Sequence, residues 1–315
     1  MATNASPVGT DGIVPTLAEL VALRAAVQGR RPPRRGRHGT SGQALSPLRG
    51  RGMEYAESRE YAQGDDARHI DWRLTARSGK PHTKLFQAER ERLTLLVADT
   101  APSLYFGTRT RFKSVQAARA AALVAWAAVH GGDRIGAVGF GPGLNAEVKP
   151  GGGPRGALRV LRALVEWDAI AARGGPAESL SQALQRAHRL ARPGTRVIVL
   201  TDGFSADAAA EGPLSLLAGH CDVATVLLSD ALEQAAPPPA RYAVRSEAGR
   251  VLLDFAAART RARWPQLFAE RRALLTGMLQ RRALRSVVLD TRAEPDAVLM
   301  RVLGLDPRQH TVRSA

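Results

Sequence analysis

Asp99 and Asp202 are the residues of this chain best placed to do chemistry. Each follows a short apolar run, Leu93 to Ala98 for the first and Arg196 to Leu200, through Thr201, for the second. Runs this short and this nearly continuous read as strands buried on both faces. In open parallel sheets, ligands bind beyond the carboxyl ends of such strands. Ser103, just past Asp99, offers a hydroxyl. Two carboxylates and a hydroxyl are hard oxygen donors, suited to Mg²⁺ or Mn²⁺, or to Ca²⁺ with looser geometry. The competing reading is a pocket without metal, in which Asp99 accepts backbone hydrogen bonds and organises the loop after it.

Other chemistries lack a part. Asp99-Thr100-Ala101 has no second carboxylate to act as the general acid of a phosphoaspartate enzyme. Ser103 and Ser205 have no glycine-flanked elbow. His69 and His82 lack further ligands at zinc spacing and read as structural. Gly151-Gly152-Gly153 precedes a helix but lacks the Gly-Lys-Ser/Thr ending of a phosphate loop.

Holding two strand ends in place requires a layered scaffold. Thr16 to Val27 reads as a short amphipathic helix with Thr16 as N-cap, and 29–52 as irregular, basic chain. Gly64-Asp65-Asp66 signals a turn and helix start. Ala67 to Ala76 reads as one short helix and His82 to Gln87 as extended. Then strands and helices alternate: strand to Ala98, alanine-rich helix Arg111 to His130, strand Ile135 to Phe140 and an antiparallel return at Glu147 to Lys149. Helices from about Gly156 to Val165 and from Leu180 to Leu190, and strands at Arg196 to Leu200 and Asp222 to Leu228, complete the alternation. It predicts an α/β fold, a mostly parallel sheet with helices on both faces. Beyond AAPPPA at Ala235 to Ala240 come a hairpin, Arg241 to Asp254, a long basic helix, Phe255 to Arg282, and a final strand and helix that complete or extend the same domain. The expected organisation is 1–50 N-terminal helix and basic segment, 51–92 charged region packed on the core, 93–234 sheet domain and 235–315 C-terminal extension.

Composition bounds the function classes. With 315 residues, 44% of them hydrophobic and 23% charged, the chain is long enough for a sizeable core. No apolar run is long enough to span a bilayer. The N-terminus lacks the pattern of a secretory signal, and Cys221 has no partner for an internal disulfide. A cytoplasmic protein is expected. The net charge of +16 invites a nucleic-acid reading, but only four of the 45 basic residues are lysines. That bias runs through the whole chain, and no nucleic-acid motif accompanies it. An acidic protein partner fits the charge better.

The stretch Arg51 to Glu91 is the densest in information, with acidic and basic residues interleaved with Met53, Tyr55, Tyr61, Ile70, Trp72, Leu74 and Phe86. Folded, packed surface is the reading, because a disordered tract lacks such apolar content. Asp65, Asp66, Arg68 and Asp71 read first as a capping and ion-pair network, and with Trp72 and Arg73 as a partner-binding surface. REYAQGDDARHIDWRLTARSGKPHTKLFQAERE, followed by LLVADTAPSLYFGT and later by WAAVHGGDRIGAVGF, resembles the bacterial domain of unknown function 58 family, whose core is similar to a von Willebrand factor A domain. The likeness runs from about Leu17 onward and is densest between Gly50 and Phe140.

The resemblance implies a metal-ion-dependent adhesion site, Asp-x-Ser-x-Ser with a later Thr and then Asp, on neighbouring strands. Asp99, Ser103 and Asp202 keep part of that pattern. Ala101 stands where the first Ser belongs, and the loop Arg173 to Glu178 brings no hydroxyl; Thr100 and Thr108 are the substitutes at hand. The site expected is therefore a degenerate one for Mg²⁺ or Mn²⁺. The resemblance also implies companionship with MoxR-type AAA+ ATPases acting on client proteins. The function expected is a non-enzymatic protein-interaction module. The rivals are a metal-dependent hydrolase using Asp99 and Asp202, for which no general base can be placed, and a nucleic-acid binder using the arginine-rich segments.

Overall fold

Thr16 accepts a hydrogen bond from the Glu19 N–H (3.4 Å) and so opens helix α1 (Leu17–Ala22). The expected single helix breaks at Leu23 and resumes as α2 (Arg24–Val27). The computed structural model describes residues 12–27, 53–88, 92–171, 174–246 and 249–296, and the chain divides into two units, 36–91 and the remainder. The basic segment 29–52 and the final helix expected beyond Pro295 lie largely outside the described residues.

In the smaller unit, β1 (Met53–Glu60) pairs antiparallel with β2 (His82–Ala88). Between them the expected Ala67–Ala76 helix is two pieces. A 3₁₀ turn, Ala67–His69, ends at Ile70, which is extended and bridges to Thr83. Asp71 then caps a new helix, α3 (Trp72–Ser78), which Gly79 closes in the left-handed conformation (φ +73°). The break arises because Asp71 competes for the helix start: its carboxylate accepts the Leu74 N–H at 3.1 Å while its own N–H donates to the His82 carbonyl at 2.7 Å.

The larger unit is built on a six-stranded sheet. Its strands are β3 (Leu93–Asp99), β4 (Arg134–Gly141), β5 (Leu144–Gly151), β6 (Arg196–Thr201) and β7 (Asp222–Ser229), with β10 (Arg285–Asp290) at one edge. The order is β10-β7-β6-β3-β4-β5, parallel except for β5. The separate hairpin β8 (Arg241–Ser246) and β9 (Gly249–Asp254) precedes β10, so the chain leaves the sheet after β7 and returns to it. This is the mixed α/β architecture expected, a mostly parallel sheet with helices on both faces.

Side chains of β3 alternate between two cores. Leu96 and Ala98 pack with α4 (Lys113–His130) and α5 (Gly153–Ala171). Leu95 and Val97 pack with α6 (Leu180–Leu190), α7 (Glu211–His220) and the C-terminal end of α9 (Ala258–Arg281), which follows the short α8 (Ala231–Gln234). Period-2 alternation with both sets apolar is what a strand buried on both faces requires. Helix α4 is buried around almost its whole circumference from Lys113 to Ala128. Small alanines let the sheet and α5 approach from one side, while α1 and α2 close the other, pinned by Trp126 Nε1 donating to the Leu20 carbonyl (3.0 Å) and by the Arg119–Glu19 pair (2.5 Å). Gly139 on β4 serves close packing too, since a Cβ there would lie 2.5 Å from the Trp167 ring.

Candidate functional site

Strands β3 and β6 are parallel neighbours, so Asp99 and Asp202 arrive at the same end of the sheet. Asp99 ends β3, and the chain turns after Asp202 through Gly203, whose φ of +83° favours glycine. Asp99 is fully engaged. Its Oδ1 accepts the Ala101 N–H (2.8 Å), and its Oδ2 accepts the hydroxyls of Thr201 (2.6 Å) and Ser205 (2.5 Å). Burial, followed by the charge of Asp202, pushes the Asp99 carboxyl up to about 6 in spite of these donors.

Asp202 is engaged as well, and by a cation. Its Oδ1 accepts the Phe204 N–H (3.0 Å), and its Oδ2 accepts Lys113 Nζ at 2.8 Å. Lys113, the first residue of α4, also donates to Glu233 Oε1 on α8 (2.5 Å). Arg272 on α9 donates through Nη2 to Glu233 Oε2 (3.1 Å) and through Nε to the Asp202 carbonyl (3.0 Å). Four elements are thereby tied at one point. The side chains of Lys113, Asp202 and Glu233 are 1%, 0% and 2% exposed, so the network is excluded from water.

The remaining hydroxyls do other work. Thr100 donates to the Phe140 carbonyl (2.9 Å) and Thr108 to Asp230 (2.7 Å), so neither turns toward Asp99. The Ser103 hydroxyl is buried without a hydrogen-bond partner among the described residues and bonds neither Asp99 nor Asp202. Glu178, which is no part of a hydroxyl ligand set, forms an ion pair with Arg186 (2.5 Å), which also donates to the Gly139 carbonyl (2.8 Å). Beside Asp99 lies a cavity of about 30 Å³, lined among others by Thr100, Tyr105, Trp167 and Asp168. That is room for a water molecule or two and too small for an organic substrate.

As a divalent-cation site this donor set does not fit as it stands. Both oxygens of Asp99 and both of Asp202 already accept hydrogen bonds, and an ammonium lies against Asp202. Among the described residues no three His, Cys, Asp or Glu side chains are grouped to hold a metal.

In the smaller unit, the acidic members of the second candidate set serve the local fold. Asp65 pairs with Arg59 (2.7 Å) and accepts the Ala62 N–H (3.0 Å); Asp66 accepts the Arg68 N–H (3.0 Å). Asp71 caps α3 and accepts the Ser58 hydroxyl (3.1 Å). Its carboxyl is held below the usual range, first by the Leu74 N–H. Trp72 stands out from this frame at 70% exposure, with the side chains of Arg68 and Arg73 also exposed.

The sequence pattern of the family described as "Protein of unknown function DUF58" matches residues 57–274, which takes in both sets of candidate residues. The chain belongs to the DUF58 family. Uncharacterised proteins of the same size class in Mycobacterium tuberculosis (Rv1480) and Mycobacterium bovis (Mb1516) are 43% identical to this DUF58 protein over 97 residues; the match spans 31% of this chain and 31% of each relative. Among solved structures, BatB from Bacteroides thetaiotaomicron, a conserved hypothetical protein, overlays 68% of this chain and 98% of its own, with 14% identity and a TM-score of 0.45. A von Willebrand factor type A protein from Catenulispora acidiphila overlays 71% of this chain and 43% of its own, with 13% identity and a TM-score of 0.38. No helix among the described residues of this DUF58 protein is long and apolar enough to cross a membrane.

Sequence reasoning placed Asp99 and Asp202 but missed Lys113, Thr201, Ser205, Glu233 and Arg272. One signal was available for Lys113, a rare lysine in an arginine-rich chain. Nothing in the spacing pointed from it to Asp202, 89 residues away.

Proposed function

We propose that this DUF58 protein is a non-enzymatic interaction module, a partner or adaptor of a MoxR-type AAA+ ATPase in assembling or activating other protein complexes. The ATPase enters through the family resemblance. The observation that supports an interaction role is Trp72, a large aromatic at 70% exposure between exposed Arg68 and Arg73 on a well-capped frame. Trp and Arg are the residue types that dominate binding hot spots, and a rigid frame lowers the entropy lost on association. The charge suits an acidic segment of the ATPase or of its client. The strand-end crevice supports the same reading from the other side, since its carboxylates are engaged and its cavity admits only water.

The test is direct binding of the purified protein to the MoxR-type ATPase of its own organism, by interferometry at two salt concentrations. Binding is expected to weaken at least about tenfold in Trp72→Ala and in Arg73→Glu. Equal binding by wild type and both variants overturns the assignment of this surface. Turnover of generic phosphoesters that disappears in Asp202→Ala would instead establish the hydrolase reading.

A further inference from the structure

The cation that balances Asp202 belongs to the chain itself. Lys113 is one of only four lysines among 45 basic residues. Its ammonium sits 2.8 Å from Asp202 Oδ2 and 2.5 Å from Glu233 Oε1, with the Phe204 ring centroid 5.0 Å away. A compact ammonium with three donors can lie between two carboxylates that meet at a point, where the planar fork of a guanidinium needs more room. Arg272 takes the second oxygen of Glu233, so two cations face two carboxylates, Asp202 and Glu233.

This arrangement leaves a divalent ion no free oxygen on Asp202 or Glu233 and no uncompensated charge between those two. Mg²⁺ reaching Asp202 would add a buried positive charge beside an ammonium whose side chain is itself shut off from water and bonded to both carboxylates. The buried ammonium, in turn, needs both carboxylates to offset the loss of its hydration.

We propose that Lys113 is the resident cation of this crevice, its ammonium holding the place between Asp202 and Glu233 that a divalent ion would otherwise take. The native protein then works without Mg²⁺ or Mn²⁺, and loss of the ammonium turns Asp202 and Glu233 into ligands for such an ion. The proposal concerns the crevice alone and does not depend on which partner binds at Trp72.

Titration with Mn²⁺, read from the paramagnetic resonance of the free ion, tests it on the full chain, together with thermal unfolding in chelator and in millimolar Mn²⁺. The wild type is expected to leave the free-ion signal undiminished and to unfold at the same temperature in both buffers. Lys113→Ser is expected to unfold about 10 °C lower in chelator, to take up one Mn²⁺ per chain and to regain part of that loss when Mn²⁺ is added. Wild-type uptake of one Mn²⁺ per chain, lost in Asp202→Asn, overturns the proposal. So does a folded Lys113→Ser that takes up none. If Lys113→Ser cannot be recovered folded, the wild-type titration decides alone.

Discussion

In the strand-end crevice Lys113, Asp202 and Glu233 are at most 2% exposed and satisfy one another. In the 36–91 unit the Arg59–Asp65 pair is 39% and 19% exposed, the Lys80–Glu60 pair 69% and 64%, and Trp72 70%. Charges in the first region lost their water on folding and depend on every partner being present. Those in the second keep part of theirs, most of it at Lys80 and Glu60, so their pairing contributes less to stability. Residue type alone does not separate the two regions, since both interleave Asp, Glu and basic residues. Burial separates them, and with it the consequence of a substitution: structural in the crevice, confined to binding at the exposed Trp72.

Removing Glu233 is the strongest test of that contrast. Glu233→Ala leaves Lys113 and Arg272 short of a carboxylate inside the protein, and urea unfolding should show a loss of about 3–5 kcal/mol. A loss under about 1 kcal/mol would mean that the crevice tolerates unpaired charge as a surface does.

Asp99 comes next, through pH. Its carboxyl is raised from 3.8 to about 6, by burial and then by Asp202, against the donors Ser205, Thr201 and the Ala101 N–H. Between those two values the native state holds more protons than the unfolded chain. The contribution of Asp99 to stability is therefore full below about pH 4 and is lost as pH rises through 6, about 3 kcal/mol in all. Asp99→Asn cannot titrate, so relative to wild type it should gain roughly that amount between about pH 4 and about pH 7.5. An unchanged difference across that range would place Asp99 in a far wetter environment than its hydrogen bonds describe.

The smallest expected effect lies on the other side of the comparison. Trp72→Ala removes a large side chain that is mostly in solvent, and urea unfolding should change by less than about 0.5 kcal/mol. Together with the loss of binding expected above, that result would mark Trp72 as functional surface. A loss of 2 kcal/mol or more would instead make it part of the fold.

Much of this molecule was determined by local sequence. The buried strands ending at Asp99 and Thr201, helix Leu180–Leu190, and the Arg241–Asp254 hairpin followed from periodicity, run length and turn residues, which act over a few positions. The meeting of Asp99 and Asp202 followed from the parallel order that the family resemblance implied. Other features needed the tertiary structure. Strand β1 was hidden because its charges mask any alternation and its partner β2 lies across a turn and a helix. Helix α7 was hidden by Gly212, Pro213 and Gly219, which packing on the sheet overrides. The cation of the crevice was decided at the longest range. Lys113 meets Asp202 and Glu233 across 89 and 120 residues. A buried ion pair depends on where three separate elements pack and on the exclusion of water from all three at once, and no stretch of sequence records that.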